Sequence, residues 1–248
     1  MKSFLRQHRG LYRIAIEVYM RLLVLGARLG FMKLPDAGFY KPLFRADLHD
    51  PGFLAVYSQI HTRTLLSREK LFLLYQLFNT ALAVEGDAWE CGVFQGGSAL
   101  MFHTILRQKN LPAPRDLWLF DSFAGLPPPA ANVDLHNQGD LDDVNLDELK
   151  KLFATPAPHF QVGWMPDTFR GLENRRIAFA HVDVDLYRSV LDCCEFIYPR
   201  MSTGGIFVFD DYGFPTCPGA RKAVEEFFAL CPEKPIVFST GQAVVIKR

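Results

Sequence analysis

Apolar positions follow two rhythms along this chain. Short, nearly unbroken runs read as buried strands: "AWECGVF" (88–94), "DLWLFDSF" (116–123), "HFQVGWM" (159–165), "IAFAHVDVD" (177–185) and "GGIFVFDDY" (204–212). Between them apolar residues recur at helical spacing in "SALMFHTILRQK", "LDELKKLFA" and "RSVLDCCEFIYPRM". Strand and helix in alternation predict an α/β fold, an open parallel sheet with helices on both faces. Ahead of this, "SREKLFLLYQLFNTALAV" (67–84) predicts a long helix, with Ser67 as N-cap and Glu69 in the first turn, where an acid suits the helix dipole. At the far end "PIVFST" and "AVVIKR" flank a short "GQ" turn and predict an antiparallel hairpin at one side of the sheet.

The first thirty residues have a different character. Leu11, Ile14, Ala15, Val18, Leu22 and Leu25 share one helical face, while Arg9, Arg13, Glu17 and Arg21 share another. Charges interrupt every apolar run here, which leaves no stretch long enough for a signal-peptide core or a bilayer span. The expected use of this amphipathic helix is packing on the domain or across a dimer, with peripheral membrane contact as the alternative. Residues 31–52 carry three prolines and read as a connecting loop. The expected organisation is therefore an extension over 1–52 and one domain over 53–248. Within that domain the proline-rich, acidic stretch "LPPPAANVDLHNQGDLDDVNLDE" is long for a plain connection, and predicts a lid or substrate loop near 127–150.

Composition narrows the function. Lys plus Arg, 27 in all, equals Asp plus Glu, so there is no basic excess of the kind a nucleic-acid binder carries. Five cysteines without a CxxC pair fit neither a disulfide framework nor a zinc ribbon, and suit a reducing cytoplasm.

In an open parallel sheet, ligands bind beyond the carboxyl ends of the strands. The first strand ends in "ECGVFQGGS", where glycines at 92, 96 and 97 permit a tight turn and close ligand approach before Ser98 opens a helix. It is neither GxGxxG nor a phosphate loop. The second ends at Asp121, placed where nucleotide-binding sheets hold a ribose diol, or else capping a turn. Together these features suggest an adenosine-containing cofactor, NAD or S-adenosylmethionine. The fourth and fifth strands end in Asp183 with Asp185 and Asp210 with Asp211. Four carboxylates at neighbouring tips would raise one another's pKa unless a cation lay between them. All-oxygen ligands favour magnesium, manganese or calcium. An Asp-x-Asp pair alone also fits a metal-dependent glycosyltransferase, and a non-catalytic nucleotide-binding module would keep the sheet without the ion. His136 and His181 are further candidates for a base or a substrate contact.

The segments "WECGVFQGGS", "LFDSFAGLP", "GWMPDTF", "HVDVDLYRSVLDCCEFIYPRMSTGGIFVFDDYG" and "GARKAVEEFF" resemble the macrocin O-methyltransferase family, which includes enzymes that methylate deoxysugar hydroxyls on macrolides and aminocoumarins. The resemblance covers roughly three quarters of the chain, from Thr62 onward. It implies a Rossmann-like class I methyltransferase sheet, mostly parallel with an antiparallel C-terminal strand. It also implies S-adenosylmethionine and magnesium as cofactors, with a hydroxylated small molecule, a sugar or glycosylated metabolite, as acceptor. By this resemblance Glu90, Gly92, Gly96 and Ser98 border the methionine and ribose side. Asp121 takes the ribose hydroxyls, Ser122 and Phe123 lie against the adenosine, and Trp164 and Asp167 border the adenine. Asp210, Asp211 and one of Asp183 or Asp185 take the ion, and the other of that pair removes the acceptor proton. The family's Asp-Gly-Asp-x-Tyr-Glu-Ser is here Asp-Val-Asp-Leu-Tyr-Arg-Ser, which reverses a charge at Arg188, expected near the metal edge.

Overall fold

The computed structural model describes residues 18, 19, 21, 22, 25, 26, 28–31, 45–109 and 115–248. The chain divides into two compact units, Met1–His49 and Asp50–Arg248. In the first unit Val18, Leu22 and Leu25 are helical, as their spacing predicts. The remaining positions of that predicted amphipathic face, Leu11, Ile14 and Ala15, lie outside the described residues, as do Arg9, Arg13 and Glu17. So does most of the expected loop, 32–44. Among the described residues no helix is long and apolar enough to cross a membrane.

The second unit opens with a helix that the loop assignment did not anticipate, α1 (Pro51–Ile60). Its start is well specified: the Asp50 side chain accepts from Phe53 N at 2.7 Å, and Pro51 occupies the first turn, where no N–H is required. Then follow α2 (Arg68–Ala81), β1 (Asp87–Cys91), α3 (Gly97–Gln108), β2 (Leu117–Asp121), α4 (Leu146–Lys150), β3 (His159–Val162), β4 (Ile177–Val182), α5 (Tyr187–Ile197), β5 (Met201–Phe209), α6 (Pro218–Ala229), β6 (Ile236–Val237) and β7 (Ala243–Ile246). Ser67 caps α2 as expected, accepting from Lys70 N at 3.3 Å.

The seven strands form one Rossmann-like sheet in the order β3-β2-β1-β4-β5-β7-β6. The first five are mutually parallel, β7 runs antiparallel to β5, and β6 antiparallel to β7. Alternate residues feed two apolar layers. On one face Trp89, Cys91, Phe120 and Val182 pack with Val190, Cys193, Ala223 and Phe228 of α5 and α6. On the other, Ala88, Leu119, Phe179 and Val208 pack with Phe53, Leu74, Phe78 and Phe102 of α1, α2 and α3. Phe78, Phe102 and Phe179 meet with ring centroids 4.6–5.2 Å apart, each fully buried, a burial that stabilises by about 1.5–3 kcal/mol per side chain. All five cysteines are free.

Candidate active site

The sheet hydrogen bonds run one residue past the central strands. Gly92 N donates to Phe120 O at 2.9 Å, Asp183 N to Cys91 O at 2.8 Å, and Asp210 N to Val182 O at 2.9 Å. With Cys91 level with both Phe120 and Val182, and Val182 level with Phe209, the next residues Asp121, Gly92, Asp183 and Asp210 stand in one row along the carboxyl rim. The row crosses the place between β1 and β4 where the strand order reverses, the switch point at which open sheets bind ligands. A cavity of about 390 Å³ lies over it, within the range of small-molecule sites.

Gly92 is needed there. Its φ is +85°, and a Cβ would collide with the Asp183 carbonyl oxygen. Gly97 is similarly confined, since a Cβ would meet the Thr64 side chain at 2.6 Å. Beside Gly92, Asp121 Oδ2 accepts from Val93 N (2.7 Å) and Phe94 N (3.0 Å), while Oδ1 accepts from Phe123 N (2.8 Å). These bonds hold two turns whose Phe94 and Phe123 adopt left-handed φ of +47° and +51°. Asp121 thus fixes the turns and still has acceptor capacity left, since a carboxylate offers about four lone-pair sites.

Of the residues singled out from sequence, Gly92, Ser98, Asp121, Ser122, Trp164, Asp183, Asp185, Asp210 and Asp211 line the cavity. Four others do not. Glu90 is fully buried and faces the α1–α3 side of the sheet. Gly96 starts α3 against Leu149 of α4. Phe123 packs near Phe160 with centroids 6.4 Å apart, and the mostly exposed Asp167 pairs with Arg170. Arg188 is also away from the rim: it is exposed and bonds Asp192 and Glu195 along α5.

The rim charges sort into two sets. Glu90, His181, Asp210 and Lys70 form a buried chain. His181 Nδ1 lies 2.9 Å from Glu90 Oε1, and Nε2 lies 3.5 Å from Asp210 Oδ1, an ionic rather than a hydrogen-bonding distance. Lys70 donates to the Asp210 carboxylate and, at 3.1 Å, to its backbone carbonyl. Gln242 Nε2 donates to Asp210 Oδ1 at 2.7 Å. Burial alone would lower the pKa of His181, but the Asp210 and Glu90 carboxylates overcome this and raise it to about 9. Conversely, burial would raise Asp210, yet His181 and then Lys70 hold its carboxyl below the ordinary value.

Once Lys70 and His181 are matched with Asp210 and Glu90, Asp183 and Asp211 have no cationic partner within ion-pair distance among the described residues, and Asp185 faces His136 Nε2 at 3.7 Å. Burial, then Asp210, Asp211 and Asp185, holds the Asp183 carboxyl well above the usual range. Burial, then Asp185 and Asp210, pushes Asp211 up to about 7, and burial foremost raises Asp185. Asp211 Oδ2 accepts from Asp185 N at 3.1 Å, so two of the three carboxyl-bearing segments are tied together. Ligating atoms of His181, Asp183 and Asp210 lie within 4.8 Å of one another, with Asp185 and Asp211 on the same cavity wall, and a divalent cation would relieve this crowding of carboxylates.

Lys70 is the rim residue that sequence inspection passed over. A signal was present: it lies four residues before Leu74 and eight before Phe78, on the buried stripe of α2. A lysine on such a stripe calls for a buried anion.

Residues 60–232 match the model of the family described as Macrocin-O-methyltransferase (TylF). Over 178 residues the chain is 34% identical to 8-demethyl-8-(2,3-dimethoxy-alpha-L-rhamnosyl)-tetracenomycin-C 4'-O-methyltransferase of Streptomyces olivaceus, covering 66% of this chain and 67% of that protein. Over 180 residues it is 31% identical to mycinamicin III 3''-O-methyltransferase of Micromonospora griseorubida, covering 66% and 69% respectively. Among solved structures, the O-methyltransferase NovP superposes with a TM-score of 0.67 at 27% identity, over 75% of this chain and 82% of that one.

Proposed function

This chain belongs to the Macrocin-O-methyltransferase family and is an S-adenosylmethionine-dependent O-methyltransferase, and we propose that its acceptor is a sugar hydroxyl on a glycosylated small molecule. The rhamnosyl group in the name of the Streptomyces relative supports that acceptor class. We further propose that a divalent cation, magnesium by its all-oxygen ligands, takes part at the acidic rim. The observation that carries the proposal is the crowding of the Asp183, Asp185, Asp210 and Asp211 carboxyl groups on one cavity wall beside the Gly92 switch point.

The cavity suits the methyl donor. Gly92 leaves the β1 tip without a side chain, so the methionine portion can approach the backbone there and Ser98. Asp121 keeps acceptor capacity for the two ribose hydroxyls. Ser122 and Trp164, both on the cavity wall, border the adenosine. Four of the residues that do not line the cavity act indirectly. Glu90 holds His181, Gly96 opens α3, Phe123 donates its N–H to Asp121, and Asp167 pairs with Arg170.

When bound, S-adenosylmethionine supplies a methyl on a cationic sulfur, and the divalent ion supplies positive charge that makes a nearby hydroxyl more acidic. Asp183, Asp210 and Asp211 would hold the ion, Asp210 sharing its carboxylate with Lys70. Asp185, raised in proton affinity by burial and lining the same cavity, accepts the acceptor's proton. Lys70 and His181 fix Asp210 in place.

A metal-dependent glycosyltransferase fits less well, because the family match runs through both acidic strand tips and the glycine turn. Calorimetry against S-adenosylmethionine, UDP-glucose and NAD distinguishes the ligand classes. Methyl transfer from labelled donor is then measured over free and glycosylated acceptors, with and without chelator. Binding of S-adenosylmethionine alone and magnesium-dependent labelling of a glycosylated acceptor are expected. Binding of UDP-glucose alone would overturn the assignment.

A further inference from the structure

A second cluster of ligating atoms shares Asp185 with the acidic rim. His136 comes from the segment between β2 and α4, Asp185 from just past β4, and Cys217 immediately precedes α6. Cys217 Sγ is 3.3 Å from Asp185 Oδ1 and 3.7 Å from His136 Nε2, and His136 Nε2 is 3.7 Å from Asp185 Oδ1. A tetrahedral zinc, with Zn–S near 2.3 Å and Zn–N or Zn–O near 2.0–2.1 Å, sets such atoms about 3.3–3.6 Å apart. The three side chains therefore stand close to the edges of a coordination tetrahedron before any ion arrives.

The other ring nitrogen of His136 supplies an independent indication. His136 Nδ1 lies 3.3 Å from Asp140 Oδ2, and that oxygen also accepts from Asn137 N at 2.9 Å. A carboxylate on Nδ1 fixes the tautomer that leaves the Nε2 lone pair pointing at Cys217 and Asp185, the outer-shell arrangement found behind most metal-binding histidines. The segment carrying His136 is itself anchored, since Asp134 Oδ1 accepts from Tyr187 N at the start of α5 (2.9 Å). Access is open as well: the His136 and Asp185 side chains keep 25% and 14% of their exposure.

We propose that His136, Asp185 and Cys217 form a binding site for a thiophilic divalent cation, zinc by its ligand chemistry, with Asp140 as the outer-shell partner of His136. Sulfur, imidazole and one carboxylate select zinc, whereas the all-carboxylate set of Asp183, Asp210 and Asp211 selects a hard ion. Three protein ligands leave a fourth position for water or a ligand. A cation there joins the β2–α4 segment to the β4 tip and the start of α6. The site shares Asp185 with the acceptor machinery proposed above, so an ion held here occupies that carboxylate and opposes methyl transfer, while the carboxylates of Asp183, Asp210 and Asp211 are left free.

The test titrates cobalt(II), a spectroscopically visible stand-in for zinc, into the whole chain stripped of metal and then saturated with magnesium. One equivalent per chain is expected, with an intense near-ultraviolet thiolate-to-cobalt band that zinc displaces. C217S removes the band and H136A removes tight binding, while D140N weakens zinc affinity by about 10–100-fold. No thiolate band in the unaltered chain, or a band that survives in C217S, overturns the proposal. Because the unaltered chain alone gives a decisive result, a variant that fails to fold does not rescue the idea.

Discussion

Lys70, in the first turn of α2, donates to both the backbone carbonyl and the carboxylate of Asp210, 140 residues further along the chain. Both side chains are almost fully buried, at 5% and 1% exposure, so the pair is shielded from the solvent screening that weakens surface ion pairs. It joins the helical layer containing α1, α2 and α3 to the rim of the sheet. Removing one partner leaves the other buried without its counter-charge. Lys70→Met is expected to destabilise the chain by about 3–5 kcal/mol in chemical denaturation. Adding Asp210→Asn should recover part of that loss, because the stranded charge is gone.

The same chain of groups sets an alkaline limit. His181 has its pKa raised to about 9 in the folded state by Asp210 and Glu90, against 6.5 as the ordinary value. The folded state therefore holds a proton that the unfolded chain releases. Its contribution is fully present below about pH 6.5 and disappears as pH rises through about 9, a loss of about 3 kcal/mol. Denaturation midpoints followed from pH 6 to 10 should fall over that window. In His181→Gln the decline should flatten.

Asp183 and Asp185 are expected to separate by experiment. Asp183→Asn removes one of the uncompensated acids, so the metal-free chain should gain on the order of 1 kcal/mol or more at pH 8 while losing magnesium affinity. Asp185→Asn should keep magnesium binding and lose about 10²–10⁴-fold in turnover, the usual worth of a general base. Titration calorimetry and methyl-transfer rates on the two variants check both halves.

Much of the rim was legible from sequence because the polar residues follow directly on apolar runs. Once five strands were placed, their carboxyl tips named Gly92, Asp121 and the four aspartates. The side to which each strand residue points was harder to read. Nearly all of β1 is buried, so it has no apolar–polar alternation, and Glu90 proves to face His181 rather than the cavity. Arg188 looked close to the rim by sequence distance, but α5 carries it outward to Asp192 and Glu195. Helix α1 was missed because its first residues, Asp50, Pro51 and Gly52, look like loop residues, although Asp50 and Pro51 are good helix-starting residues. Lys70 contacts a residue on β5's tip, and a tertiary partner at that separation has no local signature.

Gly92→Ala tests the close approach between the β1 and β4 tips. Its backbone has positive φ, and the added methyl would meet the Asp183 carbonyl oxygen. Relieving that contact means moving the β1 tip away from the β4 tip that carries Asp183. The variant should lose more than about 2 kcal/mol of stability and its calorimetric affinity for S-adenosylmethionine.

Crowding of the Asp183, Asp185, Asp210 and Asp211 carboxyl groups next to the donor crevice is the central claim. Its most direct test is a calorimetric titration of magnesium into the metal-free chain with S-adenosylmethionine present, at pH 8, where Asp211 (pKa about 7) is ionised. One ion per chain, with binding abolished in Asp183→Asn, is the predicted result. Absence of magnesium binding, together with methyl transfer that a strong chelator does not slow, would contradict it.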